Sequence, residues 1–389
     1  MIRYGKQHID KADINSVVSV LKSDWITQGP KVNEFESKLK KKFGSKFCCV
    51  VSNGTAALHL TALALGWSKQ DTVLCSPISF LSASNAVIYS GAKPDFVDIN
   101  TNDYNIDTEK LKKKIQFYLK KNKKIKAIIA TDFAGQPCDW KELKKISKKY
   151  KITLINDNCH AIGAKYFKNE KYASKYADIV THSYHPVKNI TTGEGGAVLT
   201  NNKKIHLKIK LLRSHGVIKS KKFTKEKPWF YQMQELGFNY RLTDIQCALG
   251  ITQLLKISKF IKRRNQIAKI YNKFFSKFRF IKTPKIKRNN EHAFHIYPLL
   301  IDFKKLGITR SNFFKKLSKY NIFLQVHYIP IYLQPYYKKK FNFNEKNFPI
   351  SKKFYSQEAS LPIFYSLEDR QIYKICRLIK KVLKLKYCD

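Results

Sequence analysis

Between residues 46 and 200, short apolar runs alternate with amphipathic stretches, and this alternation restricts the chain more than any other feature. Residues 47–51, 72–75, 94–99, 127–130, 152–155 and 178–180 read as strands. Helical spacing fills the gaps at 56–66, 78–90, 107–119 and 140–150. Such alternation builds an α/β domain around a mostly parallel sheet. Sheets of this kind bind ligands beyond the carboxyl ends of their strands. Four polar stretches fall at those ends: 52–55, 132–137, 157–160 and 183–188.

The last stretch, Ser183-Tyr184-His185-Pro186-Val187-Lys188, runs on to Gly193-Glu194-Gly195-Gly196 and then to an apolar strand at 197–201. Clustered glycines let a backbone approach a ligand where side chains would clash. Lysine is common in this chain, but Lys188 sits on a turn between two buried strands. Partial desolvation there lowers an amine's pKa and makes it a nucleophile towards carbonyls. That predicts a Schiff base between Lys188 and pyridoxal phosphate. Asp157 follows an apolar strand, and a buried carboxylate needs a partner. The protonated ring nitrogen of the cofactor is one such partner; a helix cap or a lysine ion pair is another. His160 lies three residues on, placed either for the cofactor's ring oxygen or for plain packing, and Phe80 either stacks on the ring or joins the core. Ser52-Asn53-Gly54-Thr55, at a helix start, reads equally as an anion site or as an ordinary N-cap.

With 389 residues, 43% of them hydrophobic, the chain has material for two domains. The net charge of +47 raises the question of a nucleic-acid partner. The lysines recur along the whole length, though, and interleave with apolar positions such as Leu111, Ile115 and Leu119. That is the pattern of solvated helix faces, and no nucleic-acid-binding motif accompanies it. The eight cysteines form no CxxC pair and no metal spacing, so buried thiols and no metal are expected. No apolar leader follows Met1-Ile2-Arg3-Tyr4, and no run reaches the roughly 20 residues that span a bilayer. A cytoplasmic protein without a membrane partner is expected.

Residues 10–21 and 32–43 read as helices around a loop, Trp25-Ile26-Thr27-Gln28-Gly29-Pro30. After the sheet region, 207–212 is helical, 217–235 reads as a loop, and a long helix covers 242–275. Strand-like runs at 295–301 and 322–327 and helices at 311–319 and 369–383 suggest a smaller α/β domain. The division predicted is 1–245 and 246–389.

These motifs together resemble the DegT-type sugar-nucleotide aminotransferases, within the aspartate-aminotransferase fold (fold type I). The likeness runs nearly end to end. It rests above all on 183–196 and on Gly237-Phe238-Asn239-Tyr240-Arg241, with 52–58, 76–80, 132–137, 157–163, 213–216 and 326–330 in support. The resemblance implies a large domain with a mostly parallel seven-stranded sheet and a smaller C-terminal α/β domain. It makes Lys188 the Schiff-base lysine and Asp157 the partner of the pyridine nitrogen. His160 would touch the ring oxygen and Phe80 would stack on the ring. Gly54, Thr55 and Ser183 would hold the phosphate. Asn239 would reach the neighbouring subunit's site, implying a homodimer. Within the family the chain is most similar to members of pseudaminic acid biosynthesis. Those aminate a UDP-linked 4-keto-6-deoxy-N-acetylhexosamine, with L-glutamate as donor. The sugar nucleotide would then meet Tyr4, Trp25, Ile26, Thr27, Gln325, Val326, His327 and Tyr328. A GDP-linked 4-keto or dTDP-linked 3-keto sugar is the alternative substrate. A non-catalytic nucleic-acid-binding protein is the alternative of another class, and the intact set Asp157, Ser183, Lys188 and Asn239 speaks against it. One position departs from many relatives: Asn156 stands where they carry glutamate.

Overall fold

A computed structural model describes residues 1–219 and 227–386. Strand β1 (Ile2–Arg3) opens the chain. The central sheet takes β2 (Phe47–Val51), β3 (Thr72–Cys75), β4 (Lys93–Phe96), β5 (Ile125–Thr131), β6 (Thr153–Asp157), β7 (Ile179–Ser183) and β8 (Gly196–Thr200). They lie side by side in the order β2-β8-β7-β6-β5-β3-β4. Only β8 runs against its neighbours; the other pairings are parallel. The mostly parallel seven-stranded sheet expected from the sequence is therefore present.

Its strands are apolar at nearly every position because both faces are covered. Alternate residues feed opposite cores. Cys48, Val50, Leu74, Ile128, Leu154 and Val180 join the core on one side. Cys49, Val51, Val73, Ile129, Ile155 and Ile179 join the core on the other.

The helix Asp244–Phe275 links the sheet layer to a second layer. Thr243 and Gln246 close a capping box at its start. The buried Asp244 carboxylate accepts from the amides of Gly29, Lys31 and Val32, at 3.0, 3.1 and 3.1 Å. One side chain in the first turn of this helix thus caps the helix Pro30–Phe43 and anchors the Trp25–Pro30 loop. Farther along, Ile251, Leu254 and Ile257 pack on the sheet core. Tyr271 and Phe275 pack instead with Tyr297, Leu299, Ile301, Leu361 and Ile375. The second layer holds an antiparallel sheet of Ile281–Lys282, Tyr297–Ile301 and Glu358–Leu361. β1 pairs with Ile322–Phe323, so the start of the chain lies against the C-terminal layer.

Several elements differ from the sequence expectation. The helix expected over 78–90 begins only at Ser82. Pro77 and a bond from the Ile78 amide to Ser76 Oγ (3.3 Å) hold a turn before it. Phe80 therefore lies in a loop and not in a helix. The loop expected over 217–235 contains two short paired strands, Val217–Ile218 and Gln232–Met233; residues 220–226 of that expectation lie outside the described residues. The strand expected over 322–327 stops at Phe323. Beyond it, Gln325 bridges Ser360 at the edge of the second sheet. Among the described residues no lysine is fully buried, no three potential ligands cluster around a metal position, and no helix is long and apolar enough to cross a membrane.

Candidate active site

The carboxyl ends of β2, β6 and β7 open into a cleft of about 480 Å³, a volume usual for small-molecule sites. Gly54, Phe80, Asp157, His160, Ser183 and Lys188 line it on the sheet side. Tyr4, His295 and the segment Gln325–Tyr328 close it from the C-terminal layer.

The loop carrying Lys188 is fastened at both ends. Tyr184 donates its amide to Gly195 O and accepts from the Thr192 amide and from Thr191 Oγ1. Asn189 Nδ2 donates to Ile162 O and Ala293 O, at 3.2 and 3.1 Å. Lys188 closes a turn onto His185 O. Its Nζ stands 3.5 Å from His295 Nε2. Burial pulls the lysine pKa below its usual value, while Cys159 and Asp157 oppose that shift. His160 and His295 are held well below the usual imidazole range, first by burial and then by the Lys188 charge. The lysine amine is thus surrounded by neutral rings.

Asp157 is 5% exposed. Its carboxylate accepts from Thr131 Oγ1 at 3.3 Å and from the Cys159 amide at 3.2 Å. No lysine or arginine pairs with it among the described residues. The lysine ion pair open to it on sequence grounds is absent, and so is a capped helix. A buried carboxylate without a cation suits a ring N–H⁺ brought by a ligand. At the start of the helix Gly54–Ala64, Asn53 Oδ1 accepts from the Ala56 amide at 2.8 Å, so the ordinary cap exists. Gly54 and Thr55 at the same terminus donate no backbone hydrogen bond among the described residues, which leaves an anion site. A Cβ on Gly54 would meet Ser183 Cβ at 2.8 Å, so glycine lets helix start and β7 end approach. The donor set and the lone carboxylate fit pyridoxal phosphate.

Gly195 and Gly196 make room for neighbouring chain, whereas a Cβ on Gly193 would meet nothing within 4 Å. A Cβ at Gly196 would meet Asn53 O at 2.5 Å, and one at Gly195 would strike the Thr192 side chain. They clear neighbouring chain, and of this stretch only Glu194 reaches the cleft. Asp132 also arrives at the sheet edge without entering the cleft. Its carboxylate accepts from the Cys138 amide, Trp140 Nε1, Asn156 Nδ2, Asn158 Nδ2 and Tyr172 OH. Asn156 is thereby explained: its amide donates where a glutamate would oppose a second buried carboxylate.

His160 Nδ1 accepts from the Ala134 amide at 3.4 Å, and its Nε2 lies 3.0 Å from Tyr328 OH. Phe80 is 57% exposed, its ring 6.2 Å from that of Tyr328. Thr55 sits beside the cleft without lining it. Trp25, Ile26, Thr27 and Asn239 are exposed and lie outside it. His295 lines the cleft beside Lys188 and was missed by sequence reasoning. Its only signal was a histidine opening the apolar run at 295–301.

A family model described as the DegT/DnrJ/EryC1/StrS aminotransferase family matches residues 7–380. The chain belongs to that family. It is an aminotransferase, and its cofactor is pyridoxal phosphate. It is 41% identical over 392 residues, all of both chains, to the UDP-4-amino-4,6-dideoxy-N-acetyl-beta-L-altrosamine transaminase of Campylobacter jejuni. An uncharacterised protein of Methanocaldococcus jannaschii is 41% identical over 377 residues, 96% of each chain. Among solved structures, the Helicobacter pylori aminotransferase involved in the biosynthesis of pseudoaminic acid superposes with a TM-score of 0.89. That match has 32% identity and covers 98% of this chain and 99% of the other. A putative sugar aminotransferase from Streptococcus pneumoniae, in its PLP form, gives a TM-score of 0.87 at 26% identity and 98% coverage of both.

Proposed function

We propose that this aminotransferase moves the amino group of L-glutamate onto a UDP-linked 4-keto-6-deoxy-N-acetylhexosamine. The observation that carries the reading is the presence of Lys188 and of Asp157, which has no cation partner among the described residues, in one cleft, on a chain 41% identical end to end to a transaminase of that sugar class.

Pyridoxal phosphate supplies an electron sink for negative charge at the donor's α-carbon. The chain supplies the rest. Lys188 would hold the cofactor at its aldehyde carbon, and its amine would take and return a proton at the donor's Cα. Burial favours the neutral amine that this requires. Asp157 holds the proton on the ring nitrogen. Gly54 and Thr55 amides and the Ser183 hydroxyl hold the phosphate, His160 meets the ring oxygen, and Phe80 covers the ring. Tyr4 and Gln325–Tyr328 receive the sugar nucleotide. Asn239 and the Trp25–Thr27 loop, exposed on one chain, complete the site of a second copy in a homodimer. The protein works in the cytoplasm.

Purified protein loaded with the aminated cofactor is mixed with UDP-, GDP- and dTDP-linked keto sugars in single turnovers. Regain of the aldehyde absorbance with the UDP-4-keto sugar, at least tenfold faster than with the others, is expected. Faster reaction of a GDP or dTDP sugar would replace the substrate and leave the chemistry in place.

A further inference from the structure

A buried chain of hydrogen bonds runs from the cleft into the C-terminal layer, and no step above uses it. His327 lines the cleft. Its Nδ1 lies 2.7 Å from Ser360 Oγ, and Ser360 Oγ lies 2.5 Å from Glu358 Oε1. Glu358 Oε2 accepts from the His327 amide at 2.9 Å. Glu358 and Ser360 are wholly buried and His327 nearly so. His327 Nε2 has no hydrogen bond among the described residues, so it is left for whatever fills the cleft.

Resting on the function proposed above, we propose that Glu358, Ser360 and His327 form a proton relay that delivers a proton to the ketone oxygen of the sugar. Replacing a ketone oxygen by nitrogen releases water, so that oxygen must be protonated as it leaves. The balance closes along the chain. The Nε2–H bond of His327 breaks and an O–H bond forms on the substrate. The Ser360 hydroxyl proton passes to Nδ1, and the Glu358 carboxyl proton passes to Ser360 Oγ. Glu358 ends ionised, the substrate oxygen carries the proton it received, and Ser360 and His327 keep their charge. A proton returned to Nε2 from water reverses the three hops. In both end states each hydrogen bond of the chain has one donor and one acceptor. Only the direction changes, so His327 offers a proton to the cleft in one state and a lone pair in the other.

The surroundings favour such a store. Burial raises the Glu358 carboxyl to about 8, opposed by the Ser360 and His327 bonds and by the Arg310 charge. Tyr328, the other titratable neighbour coupled to Glu358, is itself pushed well up by burial and stays neutral. Burial, with the Lys188 charge, holds His327 near 3, so the relay never needs an imidazolium. Arg310 sits outside the chain, donating to Tyr355 O and Glu358 O. Glu358 and Ser360 act through His327 and are positioning residues; His327 alone touches substrate.

The test uses full-length holoenzyme with ¹⁵N-labelled histidine. In the wild type, the His327 resonances should switch from the Nε2–H to the Nδ1–H tautomer with a midpoint near pH 8. Glu358→Gln should fix Nε2–H across the range, and Ser360→Ala should uncouple the ring from Glu358. In single turnovers with the keto sugar, Glu358→Gln should slow the reaction roughly 10²-fold, the low end for proton-transfer catalysis, and remove the fall in rate above pH 8. The glutamate half-reaction should stay within twofold in both variants. A wild-type tautomer unchanged from pH 6 to 10, or a Glu358→Gln protein with the wild-type pH profile, overturns the relay. Should no nucleotide sugar react at all, the substrate reading falls, and the tautomer titration alone still decides the relay.

Discussion

The cleft has two walls built in different ways. The sheet wall takes Gly54, Asp157, His160, Ser183 and Lys188 from the ends of three strands of one sheet. Each is one to five residues beyond its strand or at its last position, so its place follows from the strand. The other wall takes Tyr4, His295, Gln325–Tyr328 and, behind them, Glu358 and Ser360. These come from four separate parts of the sequence and meet only because β1, the 322–328 run and Glu358–Leu361 are stitched together in the C-terminal layer. The first wall carries the residues proposed above to hold the cofactor. The second carries the buried hydrogen-bonding groups His295, His327, Ser360 and Glu358, the last three proposed above to manage the protons of the substrate.

The largest effect that tests this division belongs to the sheet wall. Lys188→Ala should lower turnover by roughly 10³-fold or more, since covalent attachment and proton transfer are lost together. Borohydride should no longer fix the cofactor to the chain. Residual turnover within tenfold of the wild type would remove Lys188 from the chemistry. Gly54→Ala should come next. Its new Cβ would press on Ser183, costing about 1–3 kcal/mol by overpacking and weakening cofactor binding about tenfold or more, measured by titration of apoprotein. Unchanged binding would mean that the helix start and β7 are free to separate. The smallest effect belongs to the other wall. Glu358 titrates near 8 in the folded protein, far above the range of about 4.3 for an exposed glutamate. Between those values the folded state binds more protons than the unfolded one, so this group's contribution falls as pH rises. Urea unfolding should therefore show wild type losing stability from pH 6 to 9, with a shallower loss in Glu358→Gln. Equal slopes would mean that Glu358 is ionised throughout.

Much of the first wall is legible in the amino-acid sequence. A strand of apolar residues ending in Asp157, and another ending in Ser183 before a turn with Lys188, place those side chains at a predictable sheet edge. Even so, apolar spacing puts Phe80 in a helix that in fact starts two residues later, because a Ser-Pro turn competes with helical spacing. Asp132 also lies at a strand end and is the hub for Trp140, Tyr172, Asn156 and Asn158. Both follow strands; which faces the cleft depends on what packs beside them.

The sequence by itself determined the α/β sheet, its binding edge and the placing of Lys188 and Asp157 at that edge, because strand period and strand ends are local properties of a chain. Only the tertiary structure decided that His295 stands beside Lys188, that Asp157 lacks a cation, and that His327, Ser360 and Glu358 form one chain. Those facts depend on contacts between residues as many as 107 positions apart and on how far packing excludes water. No local pattern encodes either.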